Sequence, residues 1–215
     1  MIIKNWMQTD PLTIESDMPA SEAMTLFDKH HLPFITVVDN GRLRGLLARR
    51  DIREAASCVT AAQSIHELRF FNTQLKVKDL MVRKPETLSI NDTVETALIK
   101  GKKFGRSFFP VMDGEKLRGT VSDIDIYNSL YQILGADEKI GGISLEYDHE
   151  DEISVKELVA DIDAAGGTVH SIFRMRKPKS GQKRMLLRFK AENQAKVAED
   201  VKSKGYRIVE MVAPE

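Results

Sequence analysis

Two hydrophobic rhythms alternate along the first two thirds of the chain. Ala20, Ala23, Met24 and Phe27 recur at helical spacing and mark one face of a helix. Phe34-Ile35-Thr36-Val37-Val38 and Leu43 to Leu47 read as strands. They are joined by Asp39-Asn40-Gly41, where Asn-Gly accepts positive φ cheaply. The succession then returns. Val94, Ala97, Leu98 and Gly101 take the helical places, and Phe108 to Met112 and Leu117 to Val121 flank the turn Asp113-Gly114. Asp17 and Asn91-Asp92 stand near the helix starts, where capping residues belong. Helices are predicted after each hairpin, from Asp51 and from about Asp123. Each unit is a short strand, helix, strand, strand and helix.

The recurrence is a duplication in register. Lys4-Asn5-Trp6-Met7 matches Lys78-Asp79-Leu80-Met81, and Pro11 and Thr13 match Pro85 and Thr87. Leu43-Arg44-Gly45 matches Leu117-Arg118-Gly119, and Asp51-Ile52 matches Asp125-Ile126. Every pair has the same offset of 74 (4 and 78, 43 and 117, 51 and 125), without a gap. Two such units are expected to pack with approximate two-fold symmetry. That leaves two related clefts, each lined by one strand-to-helix junction.

The remaining third follows another order. Gly135 and Gly141-Gly142 mark a joint. Ile143 to Tyr147 alternates as a strand; Val155, Leu158, Val159 and Ile162 form a helical face. Val169 to Met175 and Met185 to Phe189 alternate again around the basic loop 177–184. A helix over Glu192 to Lys204 and a strand over Tyr206 to Val212 close the chain. This βαββαβ order is that of a ferredoxin-like split unit. The domains read 1–60, a helical linker 61–76, 77–134, a joint 135–142, and 143–215; the fold class is α+β.

Composition narrows the function. Lys and Arg number 32 against 32 Asp and Glu, so no net charge draws the chain to nucleic acid. Apolar runs are too short to span a bilayer, and the N-terminus lacks a signal peptide's apolar core, so a cytoplasmic protein is expected. The one cysteine, Cys58, excludes an internal disulfide framework. No P-loop, nucleophile–histidine constellation or metal-ligand spacing is visible. The reading is no enzyme, no catalytic residue, no metal and no required cofactor.

The stretch Gly119-Thr120-Val121-Ser122-Asp123-Ile124-Asp125 carries the candidate chemistry and reads two ways. Ser122 with Asp125 three residues later is a capping-box pattern. The same junction suits a phosphate at the helix start and a sugar hydroxyl at Asp125.

Met-x-x-x-Pro at Met7 and Met81, Pro110-Val111-x-Asp113 and Gly-h-h-Ser-x-x-Asp at Gly119 resemble a tandem cystathionine-β-synthase (CBS) domain, or Bateman module, over residues 1–133. The resemblance implies a regulatory module for adenosine compounds: AMP, ADP, ATP or S-adenosylmethionine. It implies ribose contact for Asp125, phosphate support for Ser122 beside Thr120, nucleoside contact for Thr87, and phosphate reach for Arg106. In the first unit it points to Asp51, Thr13 and Arg50, with Ala48 in place of the hydroxyl. The Asp125 cleft accordingly ranks above the Asp51 cleft. The last third resembles an ACT domain, and the whole chain is similar to bacterial acetoin-utilisation regulatory proteins. That implies a homodimer with an unknown protein partner, no membrane, and an ACT-like unit for dimerisation or output. The alternatives are an interaction protein with degenerate sites, or amino-acid sensing by the ACT-like unit.

Overall fold

The computed structural model describes residues 1–61, 73–136, 138, 140–149, 153–177 and 179–212, with the side chains of 58–61 left aside. The expected helix through Ile65 to Leu68 and the Cys58 side chain fall outside the described residues. The chain forms two compact units, Met1–Tyr127 and Asn128–Glu215. Among the described residues no helix is long and apolar enough to cross a membrane.

In the first unit the two repeats build one sheet. The first contributes β1 (Gln8–Thr9), β2 (Thr13–Ile14), α1 (Ala20–His30), β3 (Phe34–Asp39), β4 (Arg42–Ala48) and α2 (Arg49–Ala61). The second contributes α3 (Val77–Leu80), β5 (Val82–Arg83), β6 (Leu88–Ser89), α4 (Val94–Phe104), β7 (Phe108–Asp113), β8 (Lys116–Ser122) and α5 (Asp123–Ile133). The strand order is β2-β3-β4-β8-β7-β6, and β4 meets β8 where Arg42 faces its own repeat counterpart Lys116. The predicted order of elements is present in both repeats.

The opening segments, however, exchange places. β1 pairs with β8 of the second repeat, and β5 pairs with β4 of the first. Ile3 packs fully buried among Leu88, Val94, Phe109 and Val111, while Val77 packs among Ile14, Phe27, Ile35 and Leu47. The backbone bonds Ile3 N–H to Asp92 O and Val77 N–H to Met18 O repeat this crossing at equivalent positions. Each core is thus closed by a side chain from the other repeat, which ties the halves together. Gly45 and Gly119 make room for the crossing chain. A Cβ on Gly119 would stand 2.4 Å from Gln8 O, and one on Gly45 would stand 2.8 Å from Val82 O. Three positions of the predicted helical faces are exposed: Leu98, because α4 buries the Val94–Ala97 side instead, and, in the second unit, Val155 and Val159, whose helix buries Leu158 and Ile162.

The second unit comprises β9 (Gly141–Tyr147), α6 (Val155–Ala164), β10 (Gly167–Arg176), β11 (Lys183–Ala191), α7 (Gln194–Ser203) and β12 (Ile208–Val212). The sheet is antiparallel in the order β10-β11-β9-β12, the ferredoxin-like arrangement expected from the element order. Ile143, Leu145, Met185, Leu187 and Phe189 form its core with Leu158 and Ile162 of α6 and Val197 and Val201 of α7. Ser154 and Asn193 cap the two helices through their side-chain oxygens.

Candidate functional site

Two clefts open at the strand-to-helix junctions of the first unit. One, of about 430 Å³, is lined by the Gln8–Leu12 loop, Thr36, Thr120, Ser122, Asp123 and Asp125. The other, of about 1110 Å³, is lined by Leu46, Ala48 to Asp51, Arg53, Val82, Lys84 to Glu86 and Phe104 to Phe108. Phe34 and Phe108 wall both clefts and stack on each other with centroids 5.1 Å apart. The loops entering the clefts turn through left-handed residues at equivalent places, Asp10 (φ 51°) and Lys84 (φ 50°).

The exchange of opening segments regroups the predicted residues. Thr120, Ser122 and Asp125 line one cleft; Arg50, Asp51 and Arg106 line the other. Arg106 was expected beside Ser122 and Asp125. It stands instead across from Asp51, because the loop before β7 faces the β4–α2 junction. Thr13 and Thr87 line neither cleft. They sit at the short strands along β3 and β7, and the Thr87 carbonyl accepts from Lys100 Nζ at 2.7 Å. Gln8 and Lys84 were not singled out from the sequence. Gln8 and Lys84 lie on crossing segments that no local pattern assigns to a cleft.

At the smaller cleft the carboxylate is engaged. Asp125 is 7% exposed. Its Oδ2 accepts from Ser122 N–H at 2.7 Å and from Ser122 Oγ at 2.6 Å, and its Oδ1 accepts from Gln8 Nε2 at 3.1 Å. Asp125 N–H donates in turn to Ser122 Oγ at 3.3 Å. Ser122 and Asp125 therefore form the capping box, and the hydroxyl's single proton is committed within it.

At the larger cleft the carboxylate is open. Ala48 has no hydroxyl to hold Asp51, and among the described residues only Arg50 Nε donates to it, at 3.3 Å. Around it stand Arg49, Arg50, Arg53, Lys84 and Arg106. Their repeat counterparts are Asp123, Ile124, Tyr127, Asp10 and Leu32, so none of these cations recurs at the other cleft. Arg49 donates to Phe27 O and to Asp28 Oδ1, each at 2.9 Å, and Arg53 donates to Asp28 Oδ1 at 3.1 Å. The Arg53 and then the Arg49 guanidinium hold the Asp28 carboxyl below the usual carboxylate range. Arg49 Nε is buried and without a hydrogen-bond partner. Arg106 and Lys84 make no side-chain hydrogen bond or ion pair among the described residues. Unpaired donors beside Phe and Pro walls suit a flat ring joined to an anion.

A duplicated unit with exchanged openings and a cleft at each strand-to-helix junction is matched by the family model of the CBS domain over residues 3–57 and 77–132, just over half of the chain. The chain belongs to the CBS domain family. Members of this family are generally regulatory and non-catalytic. Among solved structures, the CBS domain pair of protein MJ0100, in complex with 5′-methylthioadenosine and S-adenosyl-L-methionine, is 25% identical. The likeness covers 61% of this chain and 97% of that one, with a TM-score of 0.51. A protein assigned to acetoin utilization, AcuB from Vibrio cholerae, is 19% identical over 64% of this CBS protein and 96% of its own chain, with a TM-score of 0.53. CBSX2 in complex with AMP is 18% identical over 61% and 97%, with a TM-score of 0.52. These last two likenesses are of fold. No curated protein matches the chain.

Proposed function

We propose that this CBS protein is a non-catalytic, cytoplasmic regulatory sensor whose adenosyl ligand occupies the Asp51 cleft. The supporting observation is the contrast between the two carboxylates: Asp51 meets only Arg50 among the described residues and shares its cleft with Arg106 and Lys84, which have no partner among them, while Asp125 is bound by Ser122 and Gln8. Solved CBS pairs of the same fold hold AMP, S-adenosylmethionine and 5′-methylthioadenosine, all built on adenosine. In the Asp51 cleft the base packs along Phe34, Phe108 and Pro85. The ribose hydroxyls donate to Asp51, and an attached anion meets Arg49 Nε, Lys84 and Arg106. This reverses the ranking drawn from the missing hydroxyl: Ala48 removes the group that would cap the helix with Asp51, and so leaves the carboxylate available.

The ferredoxin-like unit is assigned to dimerisation or output, in keeping with its resemblance to ACT domains.

Calorimetric titration of the full chain with AMP, ATP and S-adenosylmethionine tests the reading. One equivalent of AMP is expected, weakened at least about tenfold by Asp51→Asn and unaffected by Asp125→Asn. Absence of binding by all three at millimolar ligand overturns it.

A further inference from the structure

The two junctions are equivalent by position, yet among the described residues only the Asp125 carboxylate receives a side chain from the crossing segment; Asp51 meets Arg50 of its own helix. Gln8 lies on β1 opposite Thr120, and its Nε2 donates to Asp125 Oδ1 at 3.1 Å. The equivalent residue on β5 is Val82, opposite Leu46, which has no side-chain donor. An ionised carboxylate is an acceptor only, and ribose hydroxyls reach it as donors. The Gln8 amide stands where such a donor would stand, and Ser122 holds the other oxygen. Gln8 is itself exposed, so its amide is free to withdraw without disturbing the core.

We infer that Gln8 is the specificity-determining residue that closes the Asp125 cleft to adenosyl ligands and makes this duplicated pair a one-site receptor. The inference rests on the adenosyl reading of the Asp51 cleft. It also names the ligand class for the closed cleft once Gln8 is gone. Asp10, Asp123 and Asp125 line it with His30 and no Lys or Arg, so carboxylates outnumber bases, phosphate is disfavoured and an uncharged nucleoside fits. Its 430 Å³ falls within the range of small-molecule sites.

The test is titration of AMP-saturated full-length protein with 5′-methylthioadenosine. The wild type is expected to take up no further equivalent. Gln8→Val, which copies the equivalent position, is expected to take up one, with affinity raised about tenfold or more over the wild type. Adding Asp125→Asn to Gln8→Val is expected to remove that equivalent and leave AMP binding intact. Gln8→Leu repeats the measurement with a side chain closer in size, and thermal melts establish that both variants are folded. Uptake of a further equivalent by AMP-saturated wild type overturns the role of Gln8 and leaves the Asp51 site standing. So does a failure of both folded variants to gain one. A wild type that binds no AMP overturns the Asp51 site and this inference with it.

Discussion

Ser122 Oγ donates to Asp125 Oδ2 at 2.6 Å, and the Ser122 N–H donates to the same oxygen at 2.7 Å. Two residues that could have served a phosphate and a ribose spend their hydrogen bonds on each other. Ser122→Ala is therefore expected to cost about 1 kcal/mol of stability, the usual value of a helix cap, and to leave AMP affinity unchanged. Denaturant unfolding measures the first and calorimetry the second. A tenfold loss of AMP affinity in a folded variant would return the ligand to this junction.

Charge at the other cleft makes a separate prediction. Arg106 is exposed and unpaired opposite Asp51, so its contribution to an anion is that of a surface pair, up to about 1 kcal/mol or about fivefold. Arg106→Gln should weaken AMP by about that factor and leave adenosine unaffected. The difference should shrink as salt is raised. Equal losses for AMP and adenosine would show that Arg106 acts on the cleft's shape, not on phosphate.

Gly119 and Gly45 occupy the same position in the two repeats but meet different obstacles. At Gly119 the nearest atom to an added Cβ is the backbone oxygen of Gln8, at 2.4 Å, which has little freedom to move. At Gly45 it is Met81 Sδ at 2.6 Å, the end of a flexible side chain, with Val82 O behind it at 2.8 Å. Gly119→Ala should destabilise by about 3 kcal/mol or more, and Gly45→Ala by about 1–3 kcal/mol. Urea titration of both variants orders them; an inverted order would remove the crossing strand as the cause.

Those glycines also mark the limit of what local sequence patterns encode. Helix and strand periods and the hairpin turns depend on neighbours a few residues apart, and they marked the main helices and hairpins of both repeats, but not β1, α3 or β5. The exchange of β1 and β5 depends on pairing between residues such as Gln8 and Thr120, which no local rhythm encodes. Its trace was present: Met7 and Met81 recur with Gly119 and Gly45, a bulky residue with a small one inside a strand. Through the exchange, the loop before β7 and its Arg106 line the Asp51 cleft and not that of Asp125 in their own repeat. Ala48 was read as a lost donor because the pattern shows which group is absent, not what that group holds. In the other repeat the hydroxyl holds the carboxylate itself.

In the second unit, Tyr206 offers a test in alkali. Its hydroxyl donates to Asp161 Oδ2 at 2.9 Å. Burial, and then the hydrogen bond to Asp161, push the phenol from 10.0 up to about 12. The folded state thus holds this proton more tightly than the unfolded chain does. The stabilisation is complete below pH 10 and is lost as pH rises toward 12. Lys204 also pairs with Asp161, and both bonds keep that carboxyl below the usual range, so Asp161 stays ionised throughout the window. Tyr206→Phe removes the titrating group and the bond together. It should lower stability by about 1 kcal/mol at neutral pH and flatten the decline between pH 10 and 12 relative to the wild type. Chemical denaturation of both proteins at pH 8, 10, 11 and 12 separates the outcomes. Parallel curves across that range would mean that the Tyr206 proton is not what alkaline unfolding of this unit releases.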